Sequence, residues 1–156
     1  MTGKERAHLE GHAFLAGLPE GTLELVADLA QPMAFVPGQL LAREGTLADL
    51  TYMITSGHVA IELHAPHRGP LVVETLSAGS VVGLSWSAPP FRYGFDVRAL
   101  DDVQAAAIDA TRLRAALAAN PALGLPFVER LTGVILDRLQ ATRIRLLDLY
   151  GHAGVD

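Results

Sequence analysis

The sequence predicts a mainly β domain, a small roll of short strands with helices before and after it. The apolar residues recur at helical intervals near the start, alternate in short runs in the middle, and return to helical intervals toward the end. The short runs are bounded by glycine, proline, serine or aspartate, which is typical of an all-β sandwich or roll. A chain of 156 residues is long enough for one such domain and too short for two ordinary ones. We therefore predict one domain over residues 1–156.

The composition narrows the classes of protein to which the chain can belong. Cysteine is absent, so disulfides, thiolate metal sites and thiol nucleophiles are excluded. The formal net charge of −5 argues against broad attraction to nucleic acid. No run of about eighteen apolar residues occurs and the first residues are polar, so we expect neither a membrane span nor a secretory signal. These features together predict a cytoplasmic protein.

The first segment, residues 5–31, is predicted to be helical. Phe14, Leu18, Leu23 and Val26 follow helical spacing. Pro19 stands at a suitable start for a second helix, because proline is tolerated in the first helical turn.

Residues 33–109 are predicted to form the β-roll. Gly57, in the sequence TSG, suits a tight hairpin that needs a positive φ. Residues 65–70 (APHRGP) are predicted to form a longer, exposed hairpin loop. The runs predicted to hold strands are QLLARE, LTYMITSGHVAIELHA, GPLVVETL, SVVG, FDVRAL and VQAAAID.

Residues 110–150 are predicted to be helical again. Asp109 or Thr111 is suited to cap a first helix, which ends at Asn120-Pro121. A second helix then continues for about twenty-five residues, with Gly133 as its one weak helix former.

The long second helix carries more apolar residues than one face can hold. A helix that packs only against its own domain needs a single apolar stripe. We therefore predict a homodimer through residues 125–149, the alternative being burial by the N-terminal helices of the same chain. The predicted dimer seam consists of Val128, Leu131, Ile135 and Leu139. The surplus apolar residues are Leu136, Leu146, Leu147 and Leu149.

The order of turns and strands resembles the cyclic-nucleotide-binding domain, the effector domain of catabolite-activator-like regulators, protein kinase A regulatory subunits and gated channels. The likeness covers residues 12–150 and rests on VPGQLLAREGTLADLTYMITSGHVAI (36–61), LSAGSVVG (76–83) and VRAL (97–100). It implies a jelly-roll of the cyclic-nucleotide-binding type with a long C-terminal helix. In such a roll the chain turns sharply at glycines, here Gly38, Gly45, Gly57, Gly79 and Gly83.

The resemblance also implies a ligand site in the segment that follows Gly83, which we call the cassette (residues 83–93). In the family a glutamate directly after this glycine binds a ribose hydroxyl, a short helix directs its amides at the cyclic phosphate, and an arginine pairs with the phosphate oxygens. The ligand implied is a cyclic nucleotide or another small anion. The candidate residues are Gly83, Leu84, Ser85, Trp86, Arg92 and Tyr93.

Three departures alter this cassette. Leu84 stands at the glutamate position and cannot accept a hydrogen bond, a loss of about 1–3 kcal/mol in a closed pocket. Counting back from VRAL, the arginine position falls on Tyr93 and not on Arg92, so the sequence leaves open which of the two faces the cassette. Trp86 and Pro89-Pro90 replace smaller helix-forming residues. Trp86 is either a core plug or a stacking surface for a flat ligand.

No constellation of catalytic residues accompanies these features. A cupin metal site needs two histidines alternating on one strand, a carboxylate nearby and a third histidine on a later strand, and the six histidines do not follow that spacing. There is no nucleophile elbow, Walker-type loop or pair of catalytic carboxylates. We therefore expect no enzyme activity, metal or other cofactor.

Direct nucleic-acid binding is not expected either. Catabolite-activator-like regulators usually carry a helix-turn-helix after the long helix, whereas six residues follow Tyr150 in this sequence. Acidic residues are interleaved with the arginines of the long helix, so these are predicted to lie on a solvated or dimer-edge face: Arg130, Arg138, Arg143 and Arg145.

The predicted function is a non-enzymatic regulatory module of a bacterial cytoplasm. In it a small anionic ligand contacts the cassette and biases the packing of the long helix. The alternative is a ligand-independent dimerisation or partner-docking protein whose pocket is closed by Leu84, Trp86 and Tyr93. A cavity of about 300 Å³ or more beside Gly83 favours the ligand. A third class, a cupin-like enzyme, would require a bound metal.

Overall fold

The computed structural model describes residues 1–153, and the last three residues of the predicted domain lie outside this range. In chain order the elements are α1 (Gly3–Glu10), a 3-10 turn (Ala13–Leu15), α2 (Glu20–Leu29), β1 (Ala30–Phe35), β2 (Leu40–Ala42), β3 (Leu50–Ser56), β4 (His58–Ala65), β5 (Gly69–Ser77), β6 (Val81–Val82), a cassette turn of 3-10 type (Leu84–Ser87), β7 (Asp96–Ala99), β8 (Val103–Asp109), α3 (Ala110–Ala119) and α4 (Pro121–Ala153). The predicted fold class, a β-roll between flanking helices, is confirmed.

The strands form two four-stranded antiparallel sheets, ordered β1-β8-β3-β6 and β2-β7-β4-β5. Apart from the β4–β5 hairpin, neighbours in each sheet are far apart in sequence, as when Met53 of β3 pairs with Ala106 of β8 and with Val81 of β6. The chain passes from one sheet to the other between β3 and β4, at Gly57. A Cβ at this glycine would lie 2.4 Å from the Asp102 carbonyl oxygen, and its φ is +87°. The hairpin predicted at this glycine is wrong, because β3 and β4 lie in different sheets and do not pair with each other, but the turn between them does require glycine.

The core fills the space between the two sheets and extends under the helices. The innermost residues of the sheets are fully buried: Met53, Ile54, Val59, Val82 and Val97. Phe127 of α4 meets Phe14 edge-on, with ring centroids 5.3 Å apart, and so attaches the start of α4 to the N-terminal turn.

Two boundaries differ from the sequence prediction. β1 begins at Ala30, inside the segment predicted to be helical. Its four central residues are exposed and include Pro32, which is tolerated because β1 is an edge strand, so the strand shows no apolar alternation. Helix α4 is 33 residues long, begins at Pro121 and contains Pro126 in its first two turns. Over residues 1–153, no helix combines the length and apolar character needed to cross a membrane.

Candidate functional site

The cassette begins with a buried glycine in the left-handed conformation. Gly83 follows β6 directly and has φ +76° and ψ +46°. A Cβ at this position would lie 3.1 Å from the Leu50 carbonyl oxygen and 3.3 Å from the Tyr93 ring. The chain then makes the cassette turn, passes a cis Pro89-Pro90 bond and reaches Phe91, which also has a positive φ of 57°.

Trp86 lies in the core. Its side chain is 3% exposed and packs against Phe127 of α4, with ring centroids 6.3 Å apart. The indole Nε1 is buried without a hydrogen-bond partner among the described residues. The tryptophan therefore joins the cassette turn to the base of α4.

Tyr93 holds the far end of the cassette against β3. It is 6% exposed, and its hydroxyl donates to the Leu50 carbonyl oxygen at 2.5 Å and accepts from the Leu50 N–H at 3.3 Å. Burial raises the pKa of this hydroxyl, against the lowering effect of its bond to Leu50. The ring lies 3.3 Å from the position that a Cβ at Gly83 would occupy, and Tyr93 does not line the large cavity described below.

Arg92 contacts the loop between β2 and β3. It is exposed, and its guanidinium donates to the Gly45 carbonyl oxygen at 2.8 Å. The sequence left open whether Arg92 or Tyr93 faces the ligand, and neither of them lines the large cavity beside the cassette turn.

A different arginine, Arg114 of α3, fastens the cassette. It donates to the Trp86 carbonyl oxygen at 2.9 Å, and its guanidinium carbon lies 4.3 Å from the centre of the Phe91 ring. The role of Arg114 was not predictable from the sequence, because no local pattern connects α3 with a segment more than twenty residues earlier.

The large cavity lies between the cassette turn, the β4–β5 hairpin and the outer half of α4. Its volume is about 770 Å³. Leu84 and Ser85 line the cavity from the cassette turn, and Phe95, just before β7, also lines it. Most of the remaining wall is apolar, with contributions from Ile61, Leu63, Leu71, Val72, Val73, Ile135, Leu139, Leu146 and Leu149.

Three charged side chains line this cavity: Glu74 of β5 and Arg138 and Arg145 of α4. The Arg138 guanidinium donates to the Val81 carbonyl oxygen of β6. Burial lowers the pKa of Arg138, and the nearby Glu74 partly opposes this. Arg145 donates to the Val73 carbonyl oxygen at 2.5 Å.

The prediction of a solvated or dimer-edge face is therefore wrong for Arg138, which is half-buried and points into the domain. It is also wrong for Arg130, which donates to the carbonyl oxygens of Phe14 and Ala16 at 2.7 Å each. Both side chains hold α4 against the domain by binding backbone oxygens that strands and turns leave free.

The predicted dimer seam divides into two environments. Leu131 is 3% exposed and packs in the core of its own chain, one helical turn after Phe127, so it is not available to a partner. Val128, Ile135 and Leu139 are 42–43% exposed. Further apolar residues of α4 are also exposed: Leu136, Ile144, Leu146, Leu147, Leu149 and Tyr150.

The histidines occupy separate positions. His58 lies 2.6 Å from Asp101, and His64 lies between Glu44 and Asp96 at 3.3 and 3.6 Å. Within residues 1–153, no three His, Asp or Glu side chains are grouped so that they could hold a metal ion.

Comparison with known proteins assigns this architecture to a family. The profile of the family described as "Cyclic nucleotide-binding domain" matches residues 32–120, which is more than half of the chain. The chain belongs to the cyclic nucleotide-binding domain family. The predicted resemblance is thereby confirmed.

Similar solved structures support the same assignment. A putative cyclic nucleotide-binding protein from Geobacter metallireducens GS-15 superposes with a TM-score of 0.75 at 25% identity, over 89% of this chain and 99% of that one. A cyclic nucleotide-binding domain from Methylobacillus flagellatus KT gives a TM-score of 0.82 at 20% identity, over 93% of this chain and 84% of that one. The jelly-roll with a long C-terminal helix is therefore shared with these structures.

One sequence relative belongs to a larger protein. The acetyltransferase Pat of Mycolicibacterium smegmatis is 32% identical over 83 residues, which is 53% of this chain. These residues make up 25% of that protein, so the match covers about a quarter of its length.

Proposed function

We propose that this chain is a non-enzymatic regulatory module that binds a small anionic ligand in the cavity beside the cassette turn. The observation that carries this proposal is the cavity itself, about 770 Å³ in volume and bordered by Leu84 and Ser85. Ligand pockets typically measure about 300–1,000 Å³ and combine apolar walls with a few polar groups. The ligand-independent alternative requires that Leu84, Trp86 and Tyr93 close the pocket, and Trp86 and Tyr93 lie outside its wall.

The proposed ligand is not a standard cyclic nucleotide. Leu84 offers no acceptor for a ribose hydroxyl, and neither Arg92 nor Tyr93 provides a cation in the cavity. Each missing polar contact in a closed pocket costs about 1–3 kcal/mol. Cyclic AMP and cyclic GMP should therefore bind weakly, while a ligand with a larger apolar surface is favoured by the leucine- and valine-rich wall.

In this proposal the ligand acts on α4. The helix forms one wall of the cavity and contacts the strands on the other side through Arg138 and Arg145. A ligand that contacts α4 better in one arrangement than in another shifts the helix toward that arrangement. When the helix moves, the surface that α4 presents to a partner would change. A partner on α4 would thereby respond to ligand binding.

Thermal unfolding with a ligand panel tests this proposal. The panel contains cyclic AMP, cyclic GMP and a series of aliphatic and aromatic carboxylates. A ligand at about one hundred times its Kd stabilises the folded state by about 2.7 kcal/mol, or roughly 5–10 °C for a chain of this size. A shift with a carboxylate and none with either nucleotide is the expected result. A flat response across the panel contradicts the proposal and favours the ligand-independent alternative.

A matched pair of variants assigns the response to the cavity. Thr132 and Thr142 are both on α4, and the hydroxyl of each donates to the carbonyl four residues earlier at 2.9 Å. Thr142 lines the cavity and Thr132 does not. Thr142→Phe should fill part of the cavity and abolish the ligand shift, whereas Thr132→Phe should preserve it.

We also propose a homodimer through α4, in a bacterial cytoplasm and without direct nucleic-acid contact. The exposed apolar side chains of α4 are more numerous than a solvated helix needs, and their arrangement on one long helix suits an isologous two-fold contact. Val128, Ile135 and Leu139 are the proposed contact residues, whereas Leu131 belongs to the core. Docking of a different protein partner on the same surface is the alternative.

Sedimentation velocity distinguishes these states. Val128→Glu places a charge in the proposed contact at a residue that does not line the ligand cavity, and it should convert a dimer into a monomer, while the exposed Gln140→Glu on the same helix should leave the dimer intact. A monomer in the unmodified protein at tens of micromolar would contradict the homodimer.

A further inference from the structure

Arg138 lines two cavities. One is the large cavity beside the cassette turn, and the other has a volume of about 410 Å³. Glu74 lines both cavities as well. The Arg138 side chain therefore borders the large cavity, where a ligand can reach it.

The hydrogen bonds of Arg138 leave most of its capacity unused. An arginine has five N–H donors, and within residues 1–153 the only hydrogen bond of this guanidinium goes to the Val81 carbonyl oxygen. No carboxylate of the described residues lies within ion-pair distance of it, whereas Arg6 and Arg98 each have such a partner. Arg138 is thus a half-buried cation with one neutral partner.

The charged side chains that line the large cavity carry one net positive charge. Its lining contains two arginines, Arg138 and Arg145, and one carboxylate, Glu74. Arg145 lies on the exposed part of α4, where solvent weakens its attraction for an anion. A charge in an apolar, partly enclosed site interacts more strongly with an opposite charge than one at the surface does. Arg138 should therefore attract an anion more strongly than Arg145.

We propose that Arg138 is the anion-binding residue of this domain, and that the ligand is an amphiphilic monoanion: an apolar body with a single carboxylate or sulfonate. The apolar body would contact the leucine and valine side chains of β5 and α4, and the anionic group would bind the free N–H groups of Arg138. This inference rests on the proposed function, because it assigns a ligand class to the same cavity. In this proposal Arg138 of α4 binds the anionic group, as the arginine of the cassette is expected to do from the family resemblance.

The position of Arg138 connects the ligand with the cassette. Its one hydrogen bond is made to Val81, two residues before Gly83. An anionic group on the free N–H groups of Arg138 leaves the bond to the Val81 carbonyl in place, and a charged acceptor forms a strong hydrogen bond with the guanidinium. Ligand binding would thereby connect α4, the ligand and β6 through one side chain while it fills the cavity.

The test compares two fluorescent probes that differ in one group. 8-Anilinonaphthalene-1-sulfonate has an apolar body and a sulfonate, and N-phenyl-1-naphthylamine has a closely similar body without the charge. Titrations use the full chain and the variants Arg138→Gln, Arg138→Lys and Arg143→Gln. Arg143 is exposed on the same helix and lines neither cavity, so it is the matched control.

The expected result is that Arg138→Gln alone loses the preference for the anionic probe over the neutral one. Arg138→Gln should weaken the sulfonate probe by about tenfold or more and leave the neutral probe within about twofold. Arg138→Lys should restore most of the sulfonate affinity, because it keeps the charge, and Arg143→Gln should change neither probe. Thr142→Phe should displace both probes, which localises them to the cavity.

Several outcomes would overturn the inference. An equal loss of both probes in Arg138→Gln would mean that the residue only shapes the cavity, and an unchanged sulfonate affinity would mean that it contacts no anion. Insensitivity to Thr142→Phe would place the probes on the exposed face of α4. Binding of the neutral probe alone would refute the anion site and leave the proposed ligand cavity standing, whereas binding of neither probe would refute both.

Discussion

We predict that the Tyr93 hydroxyl stabilises the folded protein and that the hydroxyl of its neighbour Tyr52 does not. The two side chains are buried to a similar degree, at 6% and 4% exposure, and both line a cavity of about 320 Å³. The Tyr93 hydroxyl makes two hydrogen bonds to the Leu50 backbone. The Tyr52 hydroxyl makes none within residues 1–153. Tyr93→Phe and Tyr52→Phe therefore delete the same atom from similar surroundings.

The magnitude follows from the two hydrogen bonds. Each contributes about 0.5–1.5 kcal/mol net, and their loss leaves the Leu50 N–H and carbonyl with one partner fewer, so Tyr93→Phe should lower the free energy of unfolding by about 1–3 kcal/mol. Tyr52→Phe should change it by less than about 0.5 kcal/mol.

Urea unfolding measures this difference. Trp86 is the single tryptophan of the chain and lies in the cassette, so its fluorescence reports the unfolding of the segment that Tyr93 anchors. Far-UV circular dichroism provides the second probe, and coincident transitions justify a two-state fit. If Tyr93→Phe costs no more than Tyr52→Phe, the hydroxyl does not hold the cassette, and the reasoning is refuted.

Alkaline pH gives an independent measure of the same hydroxyl. Burial raises the pKa of Tyr93 above its ordinary value of 10.0, so the unfolded tyrosine ionises first. Its contribution to stability is therefore complete below about pH 10 and is lost as the pH rises further. Burial raises the pKa of Tyr52 as well, so Tyr93→Phe should remove part of this alkaline loss of stability and leave the part due to Tyr52, and an unchanged profile would contradict the assignment.

Two further predictions concern buried positions outside the cavity. Burial lowers the pKa of His12 below 6.5, and both of its ring nitrogens bond to backbone groups as a neutral imidazole. As the pH falls, histidine is therefore protonated in the unfolded protein before it is protonated in the folded one, and the urea midpoint should fall below about pH 6.5. His12→Gln should reduce this pH dependence. An equal fall in the variant would exclude His12 as its source. Gly83→Ala should lower the free energy of unfolding by at least about 1 kcal/mol more than Gly38→Ala does. Both glycines have a positive φ, but only a Cβ at position 83 meets backbone, at 3.1 Å. Equal urea midpoints for the two variants would count against this contact.

The turns of the roll were predictable because their chemistry is local. The glycines predicted at the corners all have a positive φ in the structure: Gly38, Gly45, Gly57, Gly79 and Gly83. At such positions a residue with a Cβ is strained whatever surrounds it, so glycine in the sequence is direct information about the backbone. The strands between these corners followed from their apolar alternation, and β1 was missed because its central residues face solvent.

The directions of the cassette side chains were not predictable, because the segment has no regular period. Phe91 has a positive φ and separates the cassette turn from β7, so the alternation that relates neighbouring residues of a strand does not extend to Arg92 and Tyr93. The role of Arg138 could not be found for a different reason. Helical spacing gives the face of a residue, whereas its partner at Val81 is set by how α4 packs against β6.

The contacts of the cassette suggest which part of the domain can respond to a ligand. Trp86 packs on the base of α4, Arg114 holds the end of the cassette turn, and Tyr93 is bonded to β3. These contacts involve buried aromatic rings and backbone hydrogen bonds, and displacing any of them exposes apolar surface or leaves a polar group unpaired. The outer half of α4, in contrast, contacts the strands through Arg138 and Arg145 across the cavity. We therefore expect a ligand to move the outer half of α4 and to leave the cassette in place, so that Trp86 fluorescence changes little on binding while hydrogen exchange in α4 beyond Arg138 slows.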